Sequence, residues 1–277
     1  MNKKKKRKLT FKLWILIILS AIFLSMFAVS LINIFFWVDD NKESKENLEE
    51  INEIVNVETK EDTEETELVN RPLDNNSDYW YYTTFPLIDV DLTELKKKNS
   101  DTVGWINVNN TNINYPVVQA KDNDYYLHHS YNKSYNEAGW IYLDYRNSPD
   151  FSGKNNIIYG HHRKDNTMFT TLLNALNYNW YINKDNHIIR ISTESTNTLW
   201  QIISVYKTPV ESYYIKTNFY TDNEYKTFLD TIVGRSIHNF NTDTTIEDKI
   251  LTLSTCYTDD IRLVVHAKLI KKEIKNN

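Results

Sequence analysis

Cysteine is nearly absent: Cys256 is the single one among 277 residues. One thiol excludes an intramolecular disulfide. It leaves a free or intermolecularly paired reactive thiol, or the small buried apolar residue that a free cysteine usually is. Strong positive charge is absent beyond the N-terminus. The net charge is −5, but residues 3–12 hold seven cations and no acid, while 39–70 hold thirteen acids against three lysines. The remainder is nearly neutral and offers no nucleic-acid surface. No second His/Cys cluster with zinc spacing accompanies His161-His162, and neighbouring strand residues diverge, which argues against a metal site at that pair. There is no internal repeat.

Apolar residues make up 41% of the chain, with 19 tyrosines, enough for a core. Leu13 to Val38 is an uncharged run of 26 residues. As a helix it would reach about 39 Å, against a hydrocarbon core of about 30 Å. The basic flank predicts a cytoplasmic N-terminus with everything after Val38 outside. A cleaved signal peptide is the competing reading, with small residues at Ala28-Val29-Ser30. Secretory apolar regions are shorter, about 7–15 residues, which favours an uncleaved anchor. The expected organisation is a cytoplasmic basic tail (1–12), a transmembrane anchor (13–38), an acidic stalk (39–76) and an extracellular domain (77–277). The stalk's like charges favour an extended chain, with a short helix where Leu48, Ile51, Ile54 and Val55 recur at helical spacing.

The domain reads mainly as strands: VGWINV, INYPVV, GWIYLDYR, NNIIYGHH, a hairpin of HIIRISTES and TLWQIISVYKTPV, then KILTLSTC and IRLVVHAKLI. Helices are expected over Asp91 to Asn99, over TMFTTLLNAL with Thr167 as cap, and over TDNEYKTFLDTIV capped by Thr221 or Asp222. That last helix has Tyr225, Phe228, Leu229 and Ile232 as its apolar face. NDYYLHHS reads as a helical turn. Many short strands with interleaved helices predict a closed or nearly closed β-barrel with helical insertions.

In KILTLSTC, alternation puts Leu251, Leu253 and Thr255 on one face and Thr252, Ser254 and Cys256 on the other. Cys256 thus ends a strand on its polar face. If Tyr257 to Ile261 turn the chain back, Cys256 pairs with Arg262, Ser254 with Val264 and Thr252 with His266. Cross-strand partners have Cβ atoms about 5 Å apart. A guanidinium there lowers a thiol pKa and offers fixed donors to an oxyanion. The competing reading is a surface arginine paired with Asp259 or Asp260. His266, four residues along the strand, is too far to bond Cys256. A cysteine nucleophile needs a histidine close in space. His128, His129, His187 and His238 sit in polar stretches and read as solvated. In NNIIYGHH a strand runs through Gly160, which permits close approach, into His161 and His162. Only one of the two faces any given site, and alternation alone does not say which.

TLSTC followed by arginine at the next strand start, IIYGHH upstream, LDYRN after a GWIY strand, GHHRKDNTMF, and the long helix before the final strands resemble the sortases. These are membrane-anchored cysteine transpeptidases of Gram-positive bacteria, and the likeness over residues 80–272 is to class B. The resemblance implies an eight-stranded β-barrel with an extra N-terminal helix and a helical insertion before the penultimate strand. It implies Cys256 as nucleophile, His161 as acid/base and Arg262, with a backbone N–H after or beside Cys256, as oxyanion donors. Substrate contacts would be Asn123, Leu127, Tyr214, Ile215, Ser254 and Thr255; for Leu127 and Ile215 the competing reading is core packing. The segment between Cys256 and Arg262 is shorter than in several class B relatives. The implied reaction cleaves an NPxTN- or NPxTG-like sorting motif of a surface protein after Thr. It transfers the protein to an amine of peptidoglycan or its lipid-linked precursor at the cytoplasmic membrane, without cofactor or metal. Two other readings are an extracellular cysteine peptidase with water as acceptor, and a non-catalytic surface β-barrel binding module.

Overall fold

The computed structural model describes residues 10–258 and 260–275. The chain forms two compact units, Met1–Glu43 and Ser44–Asn277. Helix α1 (Phe11–Ile54) has neither glycine nor proline to interrupt it. Its apolar window has mean hydropathy 2.8, is unburied, and is long and apolar enough to cross a membrane. From Ser44 onward the helix belongs to the second unit, where Ser44, Asn47 and Ile51 are buried and Asn47 donates to the Ser130 hydroxyl at 2.9 Å.

After α1 come strands β1 (Val57–Lys60) and β2 (Thr66–Leu68), helix α2 (Tyr79–Tyr82), β3 (Leu87–Val90), helix α3 (Thr93–Lys98), β4 (Thr102–Val108), β5 (Asn114–Val118), β6 (Tyr142–Leu143) and β7 (Asn155–Tyr159). Helix α4 (Tyr178–Tyr181), β8 (Ile188–Thr193), β9 (Thr196–Pro209), helix α5 (Asp222–Gly234), β10 (Ile250–Cys256) and β11 (Ile261–Ile274) complete the chain. Strands β10, β7, β6, β5, β4, β8, β9 and β11 pair in that order, and β11 returns to β10, closing an eight-stranded barrel. The β5–β6 and β7–β10 pairs are parallel; the other pairs in the ring are antiparallel.

Alternation along the closing strands decides what lies inside. Leu251, Leu253, Leu263 and Val265 join the principal core with Trp105, Ile191 and Ile202. The opposite face of β10 is covered rather than wet. Tyr225, Phe228, Leu229 and Ile232 of α5 pack on Ile203 and Ile250, so Thr252 and Ser254 are buried under the insertion. The Thr221 hydroxyl caps α5 by accepting from the Glu224 amide, as its sequence predicts.

Four expectations need correction. The acidic stretch is not a free stalk: β1 pairs with β3 and β2 with β11, and the compact unit starts at Ser44 rather than Ser77. Repulsion among its acids is offset because β11 presents opposite charge. Fully buried Lys271 reaches Asp62 at 2.5 Å and the Thr83 carbonyl at 2.9 Å, and Lys272 pairs with Glu67 at 3.0 Å. The helix expected over TMFTTLLNAL is a 3-10 run, Thr170–Leu176, that starts after Phe169, so Thr167 caps nothing. The GWIYLDYR strand is reduced to β6. His187 is not solvated: it is buried, between the Tyr82 hydroxyl and the Tyr181 carbonyl, each at 2.7 Å.

Candidate active site

The β10–β11 hairpin has the register its sequence predicts: Cys256 opposite Arg262, Ser254 opposite Val264, Thr252 opposite His266. On the other side of β10, parallel β7 pairs Ser254 with Tyr159. Cys256 and His161 each stand two residues past that last pair, on strands spaced about 4.8 Å apart. Histidine, cysteine and arginine therefore come from three adjacent strand ends. All three line one cavity of about 180 Å³, together with Leu127, Tyr142, Tyr159, Gly160, Tyr214, Ser254 and Thr255.

Cys256 is a free, half-buried thiol. Beside it, Arg262 donates to the Thr258 carbonyl at 3.2 Å and the Ile261 carbonyl at 3.4 Å. Asp259, one of its expected surface partners, lies outside the described residues. The amide after Cys256 is committed: Tyr257 N–H donates to the Ile261 carbonyl at 2.8 Å to close the turn.

His161 is half-buried and its Nε2 lies 2.8 Å from the Leu127 carbonyl oxygen. Burial pushes its pKa below the ordinary histidine value; the Leu127 carbonyl and the Glu137 carboxylate work in the other direction. One glycine makes room for this ring, and another for Phe169 beneath its strand end. A Cβ on Gly160 would sit 2.7 Å from the Phe169 ring, so a side chain there would displace the strand end. Gly139 has φ +57°, and a Cβ on it would meet the His161 Cδ2 and the Leu127 oxygen at 2.8 Å each. His162 is exposed and points away, bridging through its backbone to Met168.

Of the expected substrate contacts, Leu127, Tyr214, Ser254 and Thr255 line the cavity. The Tyr214 hydroxyl reaches the Ser254 hydroxyl at 3.4 Å. Asn123 and Ile215 do not line it. Asn123 is spent on Asp144 and the Tyr145 amide, and Ile215 lines a neighbouring groove between the Tyr213–Ile215 turn and α5. Tyr142, Tyr159 and Gly139 were not singled out from the sequence. The first two sit in strands that read as plain core, and the third in a loop without a motif. His266 is engulfed between the Thr252 and Tyr206 hydroxyls, each at 2.8 Å. Among the described residues no His/Cys/Asp/Glu group could hold a metal ion.

A sortase domain model matches residues 106–270. Sortase B of Listeria monocytogenes serovar 1/2a is 40% identical over 190 residues, covering 66% of this chain and 75% of that protein. Among solved structures, a Bacillus anthracis protein described as similar to sortase B is 42% identical, with a TM-score of 0.61, covering 65% of this chain and 82% of that one. A Staphylococcus aureus sortase B–substrate complex is 38% identical, also with a TM-score of 0.61, covering 65% and 84%.

Proposed function

The chain belongs to the sortase family and is a class B sortase, a cysteine transpeptidase, and from that premise we propose that Cys256, His161 and Arg262 carry its reaction. The family implies surface-protein substrates and a cell-wall amine as acceptor. The N-terminal apolar helix fits a single-pass membrane protein, with the N-terminus inside and the barrel outside by the positive-inside rule.

The carrying observation is the single cavity that holds all three side chains, with Cys256 directly opposite Arg262. A neutral His161 that donates through Nε2 to Leu127 keeps its Nδ1 lone pair for proton exchange. That nitrogen takes the Cys256 proton as sulfur attacks the Thr carbonyl carbon of an NPxTN- or NPxTG-like motif. The C–N bond breaks, the proton passes to the leaving amine, and a thioester remains. The amine of a peptidoglycan precursor then attacks the thioester, giving its proton to His161 as the thiolate leaves. Arg262 donates to the oxyanion in both tetrahedral steps. With the Tyr257 amide closed into the turn, Arg262 is the principal donor on this side of the thiol.

Incubation of the full-length protein in detergent with sorting-motif peptides, with and without an added amine, tests this reading by mass spectrometry. A thioester on Cys256, absent from Cys256→Ala, and amine-dependent product are expected. An adduct on Cys256→Ala would place the nucleophile elsewhere, and product indifferent to amine would make the chain a peptidase.

A further inference from the structure

The LDYRN segment takes no part in the reaction above, yet its acid is a hub. Asp144 is fully buried, and both its oxygens are filled. One accepts from the Arg146 amide at 2.9 Å and its Nε at 2.8 Å. The other accepts from Arg146 Nη2 at 2.6 Å, Asn123 Nδ2 at 2.9 Å and the Tyr159 hydroxyl at 2.9 Å.

Each donor leads to a different wall of the cavity. Tyr159 lines it directly. Asn123 also accepts from the Tyr145 amide at 3.0 Å, and it stands just before the Tyr125–Leu127 turn whose last carbonyl holds His161. Arg146 Nη2 donates onward to the Ile215 carbonyl at 2.9 Å, next to Tyr214. We propose that the Asp144–Arg146 pair is the positioning element of the site: it fixes Tyr159, the Asn123–Leu127 turn and the Tyr214–Ile215 segment around Cys256, with Asn123 acting as a strut rather than a substrate contact. This rests on the reading of Cys256 and His161 as the reacting groups.

The chemistry suits the task. Burial alone would raise the Asp144 carboxyl, but its bonds from the Arg146 guanidinium and Asn123 hold it below the ordinary value. It therefore stays an acceptor-only group, and its three partners must all present donors. Charge-assisted bonds of this kind are short and directional, and an arginine fork fixes two directions at once.

Full-length Arg146→Met, Arg146→Lys, Asn123→Ala and Tyr159→Phe test the proposal through kcat and KM for peptide acylation, the pH profile of Cys256 alkylation, and melting temperature. Arg146→Met is expected to raise KM about tenfold or more, the scale of one lost bond to a charged group. Asn123→Ala is expected to lower kcat and move the alkylation profile, because the turn behind His161 loses its strut. Arg146→Lys keeps the charge but not the fork, so it restores melting temperature and not KM. In the double variant Asn123→Ala/Tyr159→Phe the losses are expected to be less than additive, as for groups acting through one node. Wild-type KM and alkylation profile in folded Arg146→Met and Asn123→Ala would overturn the proposal. So would losses that follow melting temperature alone. Failure of the wild type on every peptide would instead defeat the reaction assignment, while the alkylation profile, which needs no peptide, still tests the positioning.

Discussion

The Nε2 of His161 lies 2.8 Å from the carbonyl oxygen of Leu127. A carbonyl only accepts, so Nε2 carries the proton and the neutral ring is left with its lone pair on Nδ1. Since burial lowers the pKa below 6.5, nitrogen NMR is expected to show a neutral Nε2–H ring at pH 7, titrating below 6.5. A charged ring at pH 7 would contradict this. His161→Ala is expected to lose nearly all turnover, and His162→Ala, whose side chain is exposed, little.

Gly139 supports that same contact from behind. Gly139→Ala would strain a positive φ and push its methyl against both the His161 ring and the Leu127 oxygen. The backbone term alone costs about 1–2 kcal/mol. The displaced ring is expected to lower kcat about tenfold or more, the scale of impaired acid/base catalysis. Single-turnover acylation together with thermal melts separates the two effects, and a variant with wild-type kcat would show that the ring tolerates the shift.

Arg262→Lys keeps the charge and loses the planar set of donors. If Arg262 holds the oxyanion, kcat is expected to fall about 10²-fold or more, as on losing an oxyanion-hole donor. Acylation at near wild-type rate would reduce Arg262 to a local charge near the thiol.

A domain cut to start at Ser77 is expected to be less stable than one starting at Ser44. It would lose β1, β2 and Asp62, leaving Lys271 buried with only the Thr83 carbonyl. Breaking a buried ion pair costs about 3–5 kcal/mol, and the lower end applies because Asp62 is half exposed. Melting temperature is expected to drop by about 6–12 °C, given about 2–4 °C per kcal/mol for a domain of this size. Equal melting of the two would show that the segment is only draped on the barrel.

Stability is expected to fall as pH drops from 6.5 toward 4.5. Burial pushes His187 down to about 4 and His266 down to about 3. Below the unfolded value near 6.5 the unfolded chain binds protons that the folded chain refuses, so unfolding is favoured at up to about 1.4 kcal/mol per pH unit for each group. Above 6.5 these groups contribute no slope. Asp144, Asp89 and Glu273 are held below their usual values and act in the same direction only at lower pH. His266→Gln is expected to flatten the slope of melting temperature against pH, and an unchanged slope would remove His266 from the account.

Much of the site was legible because hairpin register is arithmetic. A five-residue turn plus alternation places Arg262 opposite Cys256 and His266 opposite Thr252, whatever else the chain does. The periodic face of α5 was legible for the same reason. What stayed hidden depends on partners distant in sequence. Strands β1 and β2 carry no apolar alternation; β1 is held by pairing with β3 and by the Lys60–Glu273 ion pair, and β2 by pairing with β11, 200 or so residues away. His187 sits in a polar stretch and is buried by Tyr82 and Phe240. The bond from Asn123, a residue that the family likeness puts at the substrate, to Asp144 was equally hidden, because nothing local in the sequence shows it.

Strand β11 outlasts its neighbour: β10 accompanies it only from Arg262 to Lys268, and β2 takes up the same edge at Lys271 to Glu273. Without β2, the far end of the closing strand would expose unpaired amides and carbonyls, the kind of edge on which a second chain can add itself. Three residues from the acidic segment thus replace that long edge with a short one that carries Glu67, a poor template for a second chain.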